Sequence, residues 1–268
     1  MLRATRPVVL SHVQAKPLLD AQEKGEATAT ASLDLGLTTT EVSLRGDRVL
    51  LPGGRWLSWD SIHQIQQSET GCFEVVGHRA EKIQEFSDEL NRFYSLMPTR
   101  QAPTLLVSGI PMHRIKGTNP TQDTLRKIRT VAPLMGQVLD TCTGLGYTAI
   151  EAGKTAERVI TIELDPTVLD ISRKNPWSLS LFEKPRIEQS MWDAFDVVAS
   201  LEDGVFARII HDPPMFSLAG ELYSGACYEE LYRVLRRKGR LFHYIGDLES
   251  RSGRNVARGV VRRLQGAG

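Results

Sequence analysis

The sequence predicts an α/β protein: a mostly parallel sheet with helices on both faces, preceded by a small β-rich α+β module. Three observations carry this. From about residue 135 apolar segments of strand length alternate with helical segments, the pattern of a parallel sheet built from β-α-β units. Two of the early strands end in an acid, Asp140 and Glu163. The first hundred residues read instead as short alternating segments broken by turn residues. A chain of 268 residues, 41% hydrophobic and 24% charged, has ample length for such a core. A net charge of +1 argues against an overall polyanion-seeking protein. No run of 18 apolar residues suits a membrane span, and Met1 to Val13 lacks the apolar core of a leader. The odd, widely spaced Cys72, Cys142 and Cys227 suit a reducing compartment rather than a disulfide framework or a zinc site. These features predict a cytoplasmic protein with neither membrane nor metal as a partner.

In the N-terminal module, residues 1–110, strands are expected at Ser32–Leu37, Thr39–Leu44, Arg48–Leu51 and Cys72–Val76, punctuated by Gly46-Asp47 and Pro52-Gly53-Gly54. Ile83, Phe86, Leu90, Phe93, Tyr94 and Met97, at spacings of three and four, predict a helix over Lys82–Met97, closed by Pro98. The apolar run Thr104–Ile110 then leads to a boundary. The second domain, 111–268, is expected to open with a helix from Thr121 to Thr130. Strands follow at Gln137–Asp140, Arg158–Glu163, Arg186–Gln189, Val205–Ile210 and Arg240–Ile245. Helices are predicted between and after them at Tyr147–Ala156, Pro166–Lys174, Ala194–Leu201, Tyr223–Arg237 and Gly253–Leu264.

Ligands of such sheets bind outside the carboxyl ends of the strands, and the unusual residues cluster there. Asp140-Thr141-Cys142-Thr143-Gly144-Leu145-Gly146 forms a tight turn into a helix. Side chains at Gly144 or Gly146 would block a ligand from the backbone amides. Gly144-x-Gly146-x-x-Ala149 also fits the dinucleotide pattern of a nicotinamide dehydrogenase. Glu163, 23 residues after Asp140, is placed to accept hydrogen bonds from ribose hydroxyls. Asp193, after Trp192, suits an adenine amino group. His211-Asp212-Pro213-Pro214-Met215-Phe216 stiffens a loop that fixes the Asp212 carboxylate at the mouth of the sheet.

On these motifs, D-T-C-T-G-L-G-Y-T-A, I-T-I-E-L-D, the Asp after Trp192 and H-D-P-P-M-F, the stretch from about 117 to 268 resembles the class I S-adenosylmethionine-dependent methyltransferases. It is most similar to a predicted archaeal and bacterial methyltransferase group carrying the first and last of them. The resemblance implies a Rossmann-like methyltransferase domain with S-adenosyl-L-methionine as cofactor. By position, Asp140, Thr141, Gly144 and Gly146 would surround its methionine end, Glu163 its ribose, and Asp193 with Leu164 its adenine. Asp212 would face the methyl acceptor, an RNA base or a small-molecule amine, with Pro213, Pro214 and Phe216 around it. Cys142 stands where most such enzymes have Gly, and Met215 precedes the aromatic of the D-P-P loop. The β-hairpin that usually closes the sheet is missing after Gly253–Leu264. Polyamine aminopropyl transfer, as in spermidine or spermine synthases, and a non-catalytic cofactor-binding protein are the alternative readings.

The remaining polar residues admit two readings each. His113 and Lys116 are candidate substrate ligands or plain linker residues. His211 is a proton acceptor or an orienting group. His243 and Tyr244 floor a pocket or pack, and Tyr223 with Phe216 stack on a planar substrate or on each other. Asp123 and Lys127, four apart, are read as an exposed helical ion pair. Arg254, Arg258 and Arg262 form a solvated helix face or an RNA-phosphate stripe. Cys142 and Cys227 have no local base and are read as packed side chains.

Overall fold

In the computed structural model, residues 6–246 and 251–268 are described; the first residues weighed above for a leader, 1–5, lie outside them. The chain forms two compact units. One runs to Asp123 and includes Thr167–Leu179; the other comprises Thr124–Pro166 and Ser180–Gly268.

The first unit contains β1 (Val9–Leu10), α1 (His12–Glu23), β2 (Thr28–Ala31), β3 (Thr40–Leu44), β4 (Arg48–Leu50), β5 (Trp56–Ser58) and α2 (Trp59–Gln67). It continues with β6 (Phe73–Val76), β7 (Arg79–Lys82), β8 (Gln84–Ser87), β9 (Arg92–Met97), β10 (Thr104–Val107) and β11 (Ile110–Pro111). The strands pair antiparallel in three small sheets, β1-β6-β7, β2-β3-β4-β5 and β11-β10-β9-β8. Leu10, Leu18, Val49, Leu57, Ile62 and Ile65 are fully enclosed in one shared core.

Two expectations are corrected here, and two helices are added. The helix expected over Lys82–Met97 is a hairpin in which Phe86 faces Phe93. Its polar tip turns through Asn91 at φ 50°, while Tyr94 and Leu96 go inward and Phe93 outward, a period of two that the three- and four-residue spacings concealed. The strand expected at Ser32–Leu37 falls earlier, at β2. Residues 32–38 are instead a turn in which Ser32 Oγ accepts from Gly36 N (2.7 Å) and Asp34 Oδ1 from Thr38 N (2.8 Å), local bonds that compete with a ladder. Finally, α1 and α2 were not anticipated. Ser11 opens α1 with a capping box completed by Gln14, and Ser58 caps α2 through Ser61 N.

Helix α3 (Pro120–Val131) leads into the second unit. There follow β12 (Gln137–Asp140), α4 (Tyr147–Ala152), β13 (Arg158–Glu163), α5 (Pro166–Lys174), α6 (Leu179–Glu183) and β14 (Ile187–Met191), of which α5 from Thr167 onward belongs to the first unit. The chain ends with α7 (Ala194–Ser200), β15 (Phe206–His211), α8 (Gly225–Val234), β16 (Leu235–His243) and α9 (Arg251–Ala267). The sheet order is β14-β13-β12-β15-β16, every pair parallel. Two strands lie to one side of β12 and two to the other, so the order reverses between β12 and β15. Leu139, Ile162, Phe206, Ile209, Tyr228 and Leu231 form the core beneath it.

The helix expected over Tyr223–Arg237 is shorter. Ser224 Oγ accepts from Cys227 N (3.0 Å) and sets its start, and from Leu235 the backbone enters β16. Lys238 and Gly239 therefore interrupt a strand rather than stop a helix. Phe206 pairs with Leu235 and Arg208 with Arg240, so β16 bulges between them, with Lys238 at φ 64°.

Candidate functional site

The carboxyl ends of β12 and β15 flank the point where strand order reverses, the place where open α/β sheets leave a crevice for ligands. Asp140 ends β12 and is fully buried. It accepts from Thr161 Oγ1 (2.8 Å) and from Thr148 Oγ1 (3.1 and 3.2 Å). Burial pushes its carboxyl up to about 8 against the pull of the Thr161 bond, and the charge of Asp212 adds to the rise.

The turn after Asp140 places its two glycines differently. Both have left-handed backbone, φ 51° at Gly144 and 75° at Gly146. A methyl group at Gly144 would meet nothing within 4 Å, whereas at Gly146 it would lie 2.7 Å from Leu181 Cδ2. Gly146 is thus fixed by packing and Gly144 fronts open space. Glu163, at the end of β13, accepts from Gly144 N (2.8 Å) through Oε2 and from Leu164 N (3.0 Å) and Asp165 N (3.2 Å) through Oε1. Burial raises its carboxyl to about 7 in spite of those three bonds. A carboxylate offers about four acceptor positions, so one remains.

Beyond β14, Asp193 is the N-cap of α7, its Oδ1 accepting from Phe195 N at 2.7 Å. Leu164 (47% exposed) and Trp192 (62%) stand out as apolar side chains held in solvent next to Glu163 and Asp193. Thr141 points into the sheet, with Oγ1 2.7 Å from His211 Nδ1, which spans β12 and β15. It stands next to the glycine turn as a structural bridge.

His211 is fully buried. Its Nε2 lies 2.8 Å from the Leu222 carbonyl oxygen, which only accepts, so Nε2 carries the hydrogen and Nδ1 accepts from Thr141. Burial, with His243 beside it, lowers its pKa to about 3. That environment keeps the ring neutral and suits orientation of the loop better than proton uptake. His243 lies beneath it, ring centroids 4.5 Å apart, with Nε2 2.9 Å from Tyr228 Oη. The next residues form the loop itself: Pro213 is buried, Tyr223 Oη donates to Pro214 O at 2.9 Å, and Phe216 meets Tyr223 edge-on. Met215 and Phe216 are about half exposed at its tip.

Asp212 holds the largest departure from expectation. Lys127 Nζ, on α3, lies 2.6 Å from Asp212 Oδ2, with side-chain exposures of 5% and 20%. The ammonium also sits 4.7 Å from the centre of the Tyr244 ring. The exposed helical pair expected of Asp123 and Lys127 is therefore corrected: both residues are buried, and Lys127 serves the D-P-P loop 85 positions away. His113 and Lys116 belong to the first unit, where His113 Nδ1 is 2.9 Å from Thr104 Oγ1 and Lys116 is exposed. Arg254, Arg258 and Arg262 are exposed on α9, while Val260 is buried in the core. Cys142 and Cys227 are free, and burial raises both thiols. Among the described residues, no three His, Cys, Asp or Glu side chains converge as metal ligands, and no helix is long and apolar enough to cross a membrane.

Comparison with known proteins agrees with this architecture. The family model described as conserved hypothetical protein 95 matches residues 108–241, half of the chain. The uncharacterized protein MJ1233 of Methanocaldococcus jannaschii is 38% identical over 100% of this chain and 93% of its own length. Among solved structures, a spermidine synthase in complex with the transition-state analogue AdoDATO is similar at a TM-score of 0.59 and 20% identity, covering 69% of this chain and 64% of that one. MNMC2 from Aquifex aeolicus reaches 0.50 at 17% identity, over 63% of each chain. The chain thus spans less than two thirds of either solved structure, and at these identities the likeness is one of fold.

Proposed function

Since the chain belongs to the conserved hypothetical protein 95 family, and since its buried acids gather where strand order reverses, we propose that it is an S-adenosylmethionine-dependent methyltransferase. One observation carries the reading: the open left-handed turn at Gly144, with Asp140 beneath it and Glu163 bonded to its amide. That arrangement fits the group. A methyl group at Gly144 would meet nothing within 4 Å, so a ligand's approach to its amide is unobstructed, and a cation bound at the turn would relieve two carboxyls whose charged forms burial disfavours. S-adenosylmethionine, when bound, supplies a methyl group already activated by the sulfonium charge.

The protein's task is then to bind, orient and exclude water. Asp140, held by Thr148 and Thr161, would face the cationic methionine end. Glu163 would take the ribose with its free acceptor position and, for a second hydroxyl, with Oε2 once it releases the Gly144 amide. Leu164 and Trp192 would cover the adenine, and the oxygen of Asp193 not used as a cap would receive its amino group. Asp212, set by Pro213 and Pro214, would align the acceptor, and placement of this kind supplies much of the acceleration in such transfers. His211 would hold the loop in register.

Aminopropyl transfer is the second reading, because the spermidine synthase shares this fold. Calorimetric titration of the full chain with S-adenosylmethionine, its decarboxylated form and NAD separates the readings. Micromolar binding of S-adenosylmethionine in preference to the others is the expected result. Preference for the decarboxylated form would transfer the assignment to aminopropyl transfer, and preference for NAD would sink both.

A further inference from the structure

The buried Lys127–Asp212 pair bears on which acceptors the D-P-P loop can receive. A carboxylate that is to hold a protonated amine has to offer it an uncompensated negative charge. Here the charge of Asp212 is already matched by an ammonium of the chain itself, 2.6 Å away and 5% exposed. That ammonium is fixed from a second side by the face of Tyr244, a cation–π contact that gains strength where water is excluded. Bringing a second cation to Asp212 would place two like charges in a poorly solvated space, a costly arrangement. An uncharged donor–acceptor group, such as the exocyclic amino or amide edge of a base, escapes that repulsion. It also presents its lone pair or electron density without first giving up a proton.

We propose that Lys127 sets acceptor specificity: by neutralising Asp212 it admits an uncharged hydrogen-bonding acceptor and turns away aliphatic ammonium groups. The proposal rests on the methyl-transfer reading of the site and narrows its acceptor class. Lys127 acts through Asp212, so it is a positioning residue rather than a catalytic one.

Binding of 1,4-diaminobutane to the full chain tests it, with S-adenosylmethionine titrated into the same samples as the control for the underlying reading. The wild type is expected to bind S-adenosylmethionine and to show no saturable heat with the diamine. In Lys127→Ala the vacated counter-ion position should raise diamine affinity by about tenfold or more, and methylammonium should raise its Tm. Both gains should vanish in the Lys127→Ala, Asp212→Asn double variant. Saturable diamine binding by the wild type, a folded Lys127→Ala that gains nothing, or a gain that survives in the double variant would each overturn the proposal. Should Lys127→Ala not fold, refolding in methylammonium is the readout: recovery of folded chain supports the proposal and no recovery overturns it. A wild type that binds no S-adenosylmethionine defeats the methyl-transfer reading whatever the diamine does.

Discussion

At Asp212, removing one carboxylate has two consequences that a single assay would confuse. Asp212→Asn takes the aligning charge from the loop, so turnover should fall to background while S-adenosylmethionine still binds, as activity and calorimetry on one preparation would show. It also takes from the buried Lys127 ammonium the carboxylate 2.6 Å away, and breaking a buried pair from one side typically costs about 3–5 kcal/mol. A lowered denaturation midpoint should therefore accompany the loss of activity and should ease in Lys127→Met, Asp212→Asn. The glycines separate differently. Gly146→Ala meets both left-handed strain and Leu181, and should cost about 2–4 kcal/mol in chemical denaturation. Gly144→Ala meets strain alone, about 1–2 kcal/mol, yet should abolish cofactor affinity. Asp140, Glu163 and the D-P-P loop were visible in the sequence because each ends a strand beside turn residues. Lys127 was hidden. Asp123 four positions earlier offered a local partner, and the Asp212 carboxylate that Lys127 meets is 85 residues distant, a separation that no periodicity reveals.

Among the elements, those of the parallel sheet were the most legible and those of the first unit the least. Gln137–Asp140, Arg158–Glu163 and Pro166–Lys174 stand where the alternation put them, since buried strands and proline-opened helices are determined by a few neighbouring residues. The hairpin of β8 and β9 was misread because its inward residues, Tyr94 and Leu96, share a window with apolar residues on the other face. Helix α1 passed unnoticed although its start is written in Ser11 and Gln14, whose reciprocal bonds complete a capping box. Ser11→Ala should lower stability by about 1 kcal/mol, with the loss read as a shift in urea midpoint at unchanged slope.

Over the whole molecule, the perturbed groups oppose one another across pH. Asp140 near 8 and Glu163 near 7 keep protons that the unfolded chain releases above about 4. Their burial therefore costs stability increasingly as pH rises from about 4 through 7 and 8. His211 near 3 and His243 near 4 refuse protons that the unfolded chain takes up below about 6.5, so they cost stability as pH falls below that point. The two trends offset each other from about 4.5 to 6.5. Calorimetric Tm should hold a plateau there, decline from 6.5 to 8, and decline again below 4; a Tm that climbs from 6.5 to 8 would contradict the burial of the two acids. Binding a cation beside those acids should expel protons, so the heat of S-adenosylmethionine binding at pH 7 should vary with the ionisation enthalpy of the buffer. The contrast between Gly144 and Gly146 also has an evolutionary reading. Selection for folding alone retains glycine at 146, where Leu181 leaves no room, while only selection for a ligand suppresses larger side chains in the open space at 144. Relatives that have abandoned the cofactor should thus drift at 144 and stay glycine at 146, so that one position dates the loss of binding and its neighbour records only the persistence of the fold.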